Sequence, residues 1–483
     1  MLFNSLDFAI FFPIVFVLYW LLNTSHVRWQ NALVVVASYV FYGWWNWRFL
    51  LLILFSTVVD YSIGKQLGHF VDRRHRKYLL WVSLAVNLGL LGFFKYYNFF
   101  VESFASAFSL FGHALGSYTL NIILPVGISF YTFQTLSYTI DVYQRRLEPS
   151  HSFISFSAFV SFFPQLVAGP IERATHLLPQ FNHKRTFHYG MAVDGLRQML
   201  WGVFKKMVIA DNCAEIANLV FNNYDNYNSA TLALGAIMFA FQIYGDFSGY
   251  SDIAIGAARL LGFDLMQNFN YPYFSRDVAE FWRRWHISLT TWFRDYVYIP
   301  LGGSRIGRYR TILNTFIIFL VSGFWHGANW TFIAWGFLNA LYFMPLLLSG
   351  KNKRYAGTVA EGKLLPSFKD FLSIAGTFSL TVLAWIFFRS ESITDALKFC
   401  EALFTEMYTG LPSFSNVDMV VRTTGLIFIF VAIEWFGRRG KYAIENTFAT
   451  QNFMFRWVFY SVLIFMIMMF AKTEESPFIY FQF

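Results

Sequence analysis

Long apolar segments alternate with short polar breaks along almost the whole chain. As a helix, about 20 mostly apolar residues are needed to cross a hydrocarbon core about 30 Å thick. The run 31–64 is long enough for two short spans hinged at GWWNWR (43–48). The pattern predicts about ten spans, or eleven, and therefore an all-α polytopic membrane protein. The other candidate spans are 6–22, 79–99, 121–140, 230–245, 312–325, 330–348, 370–388, 420–436 and 454–471.

Composition supports lipid as the main solvent of this chain. Hydrophobic residues make up 56% of its 483 residues and charged residues only 13%, about half the share found in soluble proteins. The first apolar segment has no Lys or Arg before it and no small-residue cleavage site after it, so we interpret it as a retained helix. The two cysteines, Cys213 and Cys400, provide neither a disulfide framework nor a metal site.

The formal net charge of +9 reflects membrane orientation rather than a nucleic-acid partner. Basic residues concentrate in the breaks between spans, and such breaks lie on the cytoplasmic side. The break 389–418 is instead mainly acidic, which places it outside. Alternating the spans from these anchors puts the N-terminus and the tail EESPFIYFQF (474–483) on the extracytoplasmic side. The basic breaks are 65–77, 144–146, 171–206, 304–310, 351–354 and 438–441.

Two longer polar segments, 171–206 and 267–311, carry apolar residues every few positions. Such segments are typical of interfacial or re-entrant helices rather than of free loops. Proline and glycine in FFPQLVAGPIER (162–173) would interrupt a spanning helix, and interrupted backbone at membrane depth normally lines a cavity. Without a tandem repeat or a soluble domain, the sequence predicts a single membrane domain, 1–483, with both segments on its cytoplasmic side.

The segment 275–295 combines aromatic and basic residues in a pattern with two interpretations. The spacing of its tryptophans and of His286 fits one face of a helix, with the arginines largely elsewhere. An interfacial helix with snorkelling arginines explains the pattern without any chemistry, and His286 is then a satisfied core histidine. The residues concerned are Trp282, Arg283, Arg284, Trp285, His286, Trp292 and Arg294.

His326 favours a functional interpretation. It lies in LVSGFWHGANW (320–330), within or at the edge of an apolar segment, where ionisable groups are costly and usually functional. Gly323 and Gly327 leave room beside it for another chain segment or for a substrate. Burial favours a neutral imidazole, which accepts a proton as a general base does. Two histidines without a third evident ligand make a metal site the weaker hypothesis.

A third cluster, YGDFSGYSDIAIGAARLLG (244–262), places two carboxylates in an apolar helix rich in small residues. Tight helix packing explains the glycines. It does not explain Asp246 and Asp252, because buried carboxylates need partners. The nearest candidates along the chain are Arg283, Arg284 and His286.

The segments that carry these residues resemble the membrane-bound O-acyltransferase (MBOAT) superfamily. The similarity extends to the first 20 residues and to 123–143, and is greatest to the bacterial branch that acetylates exported polysaccharides. The resemblance implies about 11 tilted helices around a central tunnel. The matching segments are LVAGPIER (166–173), DFSGYSD (246–252), EFWRRWHISLTTWFRDYVYIPLGG (280–303) and SGFWHGANW (322–330).

Site residues follow from the same resemblance. His326 matches the invariant histidine of the superfamily, and His286 matches its second position, which is Asn or His. Asp246, Asp252, Trp325 and Asn329 are then supporting residues. Arg283, Arg284 and Arg294 are candidates for steering the phosphates of an anionic donor.

The activity implied is transfer of acetyl from cytoplasmic acetyl-CoA across a bacterial inner membrane to an exported, alginate-like polysaccharide. A polysaccharide does not readily enter a narrow tunnel, so a periplasmic SGNH or esterase-like partner is expected. The tail resembles the C-terminal motif of the small partner in teichoic-acid D-alanylation, which makes Tyr480 a candidate acyl carrier. The alternative for the tail is an aromatic belt at the membrane surface.

Two other functions fit parts of the pattern. Buried Asp and His residues in interrupted helices also suit a transporter or flippase. Within the enzyme class, the alternatives are transfer of D-alanine or another acyl group, and transfer to a cell-wall polymer or peptidoglycan.

Overall fold

The computed structural model describes residues 1–22, 26–109, 119–167, 169–405, 410–446, 451–472 and 478–479. All regular structure in these residues is helical, as predicted. The helices are α1 (Leu6–Leu21), α2 (Val27–Asn46), α3 (Leu50–His69), α4 (Arg73–Leu91), α5 (Tyr97–Ser109), α6 (Ile128–Tyr143), α7 (Phe153–Ser161), α8 (Phe163–Leu166), α9 (Ala174–Leu177), α10 (Tyr189–Phe204), α11 (Asp211–Asn222), α12 (Ser229–Leu260), α13 (Val278–Arg284), α14 (Ile287–Phe293), α15 (Arg308–His326), α16 (Trp330–Leu348), α17 (Phe368–Arg389), α18 (Ile393–Thr405), α19 (Val417–Gly437) and α20 (Phe453–Phe470).

Short helical turns of other types connect several of these helices. Three π-helical segments continue α4, α10 and α14 without a break, at Gly92–Tyr96, Lys205–Ala210 and Arg294–Tyr298. A 3₁₀ turn, Trp47–Phe49, joins α2 to α3. The hinge predicted at 43–48 is therefore confirmed.

Within the described ranges, seven helical segments are long and apolar enough to cross a membrane, which supports a polytopic membrane protein. Two predicted spans correspond to helices of only 16 residues, α1 and α6. The count of eleven spans stays a prediction. The seven segments are Val27–His69, Arg73–Ser109, Ser229–Leu260, Trp330–Leu348, Phe368–Arg389, Val417–Gly437 and Phe453–Phe470.

The predicted span 121–140 is wrong in its first third. Residues 121–127 are not helical, and α6 begins only at Ile128. Pro125 disfavours helical backbone at the residue before it. Gly127 has φ 75°, a left-handed conformation that glycine adopts without steric cost. The chain therefore turns before it enters α6.

By contact clustering, the chain forms two compact units. The first comprises Met1–Gly195 and Ala257–Met266. In it the carboxylate of Asp60 on α3 is fully buried and accepts hydrogen bonds from Ser83 and Asn87 on α4 and from Thr139 on α6. Three helices thus share one buried acceptor, which satisfies a carboxylate that would otherwise be costly in an apolar interior.

The second unit comprises Leu196–Gly256 and Gln267–Phe483 and contains the candidate histidines. Here α15 and α16 form a close antiparallel hairpin. A Cβ added at Gly323 would lie 2.2 Å from the carbonyl oxygen of Phe332, and one at Gly336 would lie 2.3 Å from that of Phe319. The space beside Gly323 therefore admits the next helix of the chain rather than a substrate.

We expect Gly323→Ala to destabilise the protein by about 1–3 kcal/mol, because the added methyl group meets backbone that has no room to move. The midpoint of thermal unfolding in detergent measures this change. Gly425→Ala on α19 is the matched control, since an added Cβ there meets nothing within 4 Å. Equal midpoints for the two variants would show that the hairpin is not so tightly packed.

Candidate active site

His326 is the last residue of α15 and is only 4% exposed. Three aromatic rings enclose its imidazole. The ring centroids of Trp325, Trp335 and Phe388 lie 4.9, 5.1 and 5.3 Å from that of His326. Because Trp335 comes from α16 and Phe388 from α17, the packing of three helices fixes the position of this ring.

His286 lies in the junction between α13 and α14, not within a helix. Its φ of 43° is left-handed, which costs a residue with a β-carbon about 1–3 kcal/mol. The prediction that the tryptophans and His286 share one helical face is therefore wrong. The local backbone pairs with a preceding extended segment instead: Asn270 N–H donates to Arg284 O at 2.9 Å, and Ile287 N–H donates to Asn268 O at 2.8 Å.

The two histidines are brought together from 40 positions apart. Their ring centroids are 6.5 Å apart, and the ring of Trp325 lies 6.0 Å from that of His286. His286 is 1% exposed, and burial lowers its pKa from 6.5 to about 3. Its imidazole is therefore neutral at physiological pH and able to accept a proton.

The two carboxylates of α12 pair with lysines that sequence reasoning had assigned to a cytoplasmic break. Lys206 Nζ lies 2.8 Å from a carboxylate oxygen of Asp246 and 2.8 Å from one of Asp211. Lys205 forms the ion pair with Asp252. The prediction that Arg283, Arg284 or His286 would be the partners is wrong, because 205–210 continues α10 as a buried π-helix.

This close approach explains the small residues of α12. A Cβ at Gly249 would lie 2.8 Å from the carbonyl oxygen of Gly202, and one at Gly245 would lie 3.0 Å from that of Lys205. The glycines therefore serve helix packing, as the sequence predicts.

The three candidate arginines occupy different environments. Arg284 is buried and donates to Glu280 at 3.0 Å, a carboxylate that sequence reasoning missed and that also binds Arg276. Arg283 is exposed and donates to the carbonyl oxygens of Asn352 and Tyr355. Arg294 is exposed and pairs with Asp295 at 2.7 Å. Of the three candidate arginines, the exposed Arg283 and Arg294 are accessible to a soluble donor. Arg284 could reach such a donor only if its buried ion pair with Glu280 were broken.

The chain is apolar and helical, and it buries two histidines close together. Few protein families combine these features. Residues 44–364 match the model of MBOAT, the membrane-bound O-acyltransferase family. The chain belongs to this family.

Curated relatives of this MBOAT chain agree with the match. The "Probable alginate O-acetylase AlgI" of Pseudomonas aeruginosa is 41% identical over 445 residues, or 92% of this chain and 82% of the relative. A Pseudomonas putida protein of the same name is 36% identical over the full length of both chains. The "Peptidoglycan O-acetyltransferase" of Helicobacter pylori is 35% identical over 82% of this chain and 79% of its own. The family prediction is confirmed, and the chain is an acyltransferase rather than a transporter.

The last described residues of the MBOAT chain lie against α12 near the histidines. Phe478 is buried, with its ring 4.5 Å from that of Tyr250 and 5.8 Å from that of Phe247. Ile479 N–H donates to the carboxylate of Asp246 at 2.6 Å. Phe247 also contacts the ring of His286, at 4.6 Å. Tyr480, the predicted acyl carrier, lies outside the described residues.

Two remaining predictions concern residues near His326. Trp325 is buried between the two histidines. Asn329 instead caps α16, since its side chain accepts from Thr331 N–H and donates to Glu391 O. Asn329 therefore fixes the start of the helix that carries Trp335, and its role in supporting the site stays a prediction.

Sequence reasoning missed a polar group behind His286. Tyr244 OH donates to Glu434 at 2.9 Å, and Asn268 bonds both to His286 and to Ser251. A cavity of about 20 Å³, room for about one water molecule, is lined in part by Tyr244, Glu434, Ser251 and Asn268. Among residues the structure describes, no three His, Cys, Asp or Glu side chains are grouped to hold a metal ion.

Proposed function

We propose that this chain, as a single membrane domain spanning 1–483, transfers acetyl from cytoplasmic acetyl-CoA across a bacterial inner membrane for O-acetylation of an exported, alginate-like polysaccharide. The observation that carries the proposal is the pair of buried histidines, 6.5 Å apart between ring centroids, in a chain 41% identical to a protein named alginate O-acetylase. A periplasmic SGNH or esterase-like partner completes the transfer to the polymer.

The reaction needs one general base and consists of acyl transfer from a thioester to a hydroxyl group. The acceptor hydroxyl oxygen attacks the thioester carbonyl carbon, so a C–O bond forms while the hydroxyl proton passes to a neutral imidazole. The C–S bond then breaks, and the imidazole returns the proton to the departing sulfur, which leaves as the free thiol. His326 is the proposed base and His286 assists it. A positioned general base typically contributes about 10²- to 10⁴-fold in rate.

Donor recognition is assigned to the cytoplasmic face. In the proposed orientation both termini are extracytoplasmic, and 276–310 faces the cytosol. Arg283 and Arg294, the exposed arginines, attract the phosphates of acetyl-CoA. Arg284 instead has a structural role on Glu280.

The proposal is tested by incubating the purified protein with acetyl-CoA labelled in its acetyl group. Thioester turnover, with label on the protein or on an added hydroxyl acceptor, supports an acetyltransferase. Turnover of D-alanyl but not of acetyl thioesters would show that the protein is a transferase with a different acyl donor. Absence of turnover with either donor would contradict the proposal.

The tail is the proposed carrier of the acetyl group, through the hydroxyl of Tyr480. The burial of Phe478 and the bond from Ile479 to Asp246 support this role, because they hold the preceding residues next to α12 and one ring away from His286.

We expect Tyr480→Phe to abolish labelling of the protein and acetylation of the polysaccharide, while thioester binding persists, because only the acceptor oxygen is lost. Mass spectrometry of the C-terminal peptide locates the label. Tyr460→Phe on α20 is the matched control. Undiminished polysaccharide acetylation in Tyr480→Phe would contradict the carrier role and leave the transferase itself intact.

Peptidoglycan is the second candidate acceptor, favoured by the 35% identity to the Helicobacter pylori enzyme. Cells lacking the gene separate the two candidates. Loss of acetyl groups from the secreted polysaccharide supports the first acceptor, and loss from muramic acid supports the second.

A further inference from the structure

The side chain of Asn268 connects His286 to α12. Its Oδ1 lies 3.0 Å from His286 Nδ1 and accepts a hydrogen bond from Ser288 Oγ at 2.9 Å. Its Nδ2 donates to Ser251 Oγ at 3.0 Å. Asn268 is itself 1% exposed, so these bonds form away from solvent.

This arrangement determines where the proton of His286 resides. An amide carbonyl oxygen only accepts hydrogen bonds, so the imidazole nitrogen that faces it must carry hydrogen. A neutral imidazole has one N–H, and burial keeps His286 neutral. The proton is therefore on Nδ1, and Nε2 carries the lone pair.

The second nitrogen of His286 is buried and has no hydrogen-bond partner among the described residues. Buried polar atoms nearly always have a partner, so such an exception calls for an explanation. The ring lies 6.5 Å from that of His326 between centroids. A lone pair held ready for a substrate proton explains both the burial and the missing partner.

We infer that Asn268 is a positioning residue that holds His286 as the Nδ1–H tautomer, so that Nε2 can receive the acceptor-hydroxyl proton from His326 and pass it back to His326 as the thioester sulfur departs. This inference rests on the proposed function for its chemistry. It gives His286 a proton-carrying role of its own, and it adds a residue that neither histidine motif contains.

Substitution of Asn268 tests the inference in the full-length purified protein. Asn268→Leu removes the acceptor, and we expect kcat to fall about 10- to 100-fold with little change in KM for acetyl-CoA. Asn268→Asp keeps an acceptor for Nδ1–H, and we expect it to restore most of the rate. A merely structural role would instead lower the stability and the rate of both variants together.

The pH profile gives a second readout. Transfer needs neutral His286, so the rate falls as the pH drops through its pKa. With that pKa lowered to about 3, wild type shows no such fall near neutral pH. In Asn268→Asp the new carboxylate raises the pKa of His286. The fall in rate at acidic pH should therefore move to higher pH. Ionisable groups on the elements around His286 include His326 on α15, Glu280, Arg283 and Arg284 on α13, and Tyr244, Asp246, Tyr250 and Asp252 on α12.

Asn339→Asp is the matched control, since Asn339 is also a buried amide and its side chain donates to Trp335 O within its own helix. An equal shift in its pH profile would overturn the inference, as would a wild-type rate in Asn268→Leu. Loss of activity in Asn268→Asp with an unshifted profile would also overturn it.

Nitrogen-15 NMR of histidine-labelled protein reads the tautomer without any substrate. The signals of His286 are assigned by their loss in His286→Asn. A protonated Nδ1 and an unprotonated Nε2 support the inference, and the reverse pattern overturns it. Failure of the proposed function would instead appear as absent acetyl-CoA turnover in wild type with the tautomer unchanged.

Discussion

Replacing His326 by alanine is expected to lower kcat for acetyl transfer by about 10²- to 10⁴-fold. The imidazole is the proposed base. Alanine cannot accept a proton, so the position enclosed by the rings of Trp335 and Phe388 would no longer hold the base. KM for acetyl-CoA should change little, because the arginines assigned to the donor lie elsewhere. Steady-state turnover of labelled acetyl-CoA by the purified protein measures both constants.

His183→Ala is the control for this prediction, since His183 is exposed and lies outside the site. Both variants should unfold within a few degrees of wild type. A His326→Ala protein that stays folded and transfers acetyl at the wild-type rate would contradict the assignment of the base. Loss of transfer in both variants would point to a preparation artefact rather than to the site.

Replacing Lys206 by methionine is expected to cost about 3–5 kcal/mol of stability. Lys206 is 1% exposed and lies 2.8 Å from each of two buried carboxylates, Asp211 and Asp246. Without the ammonium group, these two buried carboxylates would lose the cation that they share. Thermal unfolding in detergent measures the loss.

Two further variants sharpen this prediction. Lys472→Met breaks the partly exposed pair with Glu215 and should cost only about 0–1 kcal/mol. Adding Asp211→Asn and Asp246→Asn to Lys206→Met should recover part of the lost stability, because the two buried negative charges are removed together with the cation. A triple variant less stable than Lys206→Met would show that the ion pairs are not the source of the effect.

Most of the helical architecture could be predicted from hydrophobic run length, because spanning helices need long apolar segments. The spans 330–348 and 454–471 match α16 and α20 within one residue. The prediction was wrong where local backbone chemistry overrides composition, as at Pro125 and Gly127 before α6. Run length also did not predict that α12 continues past residue 245 through the buried Asp246 and the partly buried Asp252.

Motifs named the candidate site residues, but they did not reveal the partners of these residues. Nearest neighbours along the chain suggested arginines for Asp246 and Asp252, whereas the structure pairs them with Lys206 and Lys205. Charge counting assigned those lysines to a basic cytoplasmic break, because a single sequence does not show that a π-helix buries them. Asn268 was missed for the same reason, since nothing in QNFNYPY distinguishes a positioning amide from a loop residue.

The left-handed backbone of His286 has a consequence for which residues can replace it. Most side chains disfavour a φ of 43°, whereas Asn, Asp and His occur in this region several-fold more often. The residue types that tolerate this turn are thus also ones that form hydrogen bonds. This explains the expectation, drawn from the resemblance, that the position of His286 holds Asn or His. His286→Ala would combine a lost base with an added conformational cost. His286→Asn keeps the turn and removes only the proton chemistry.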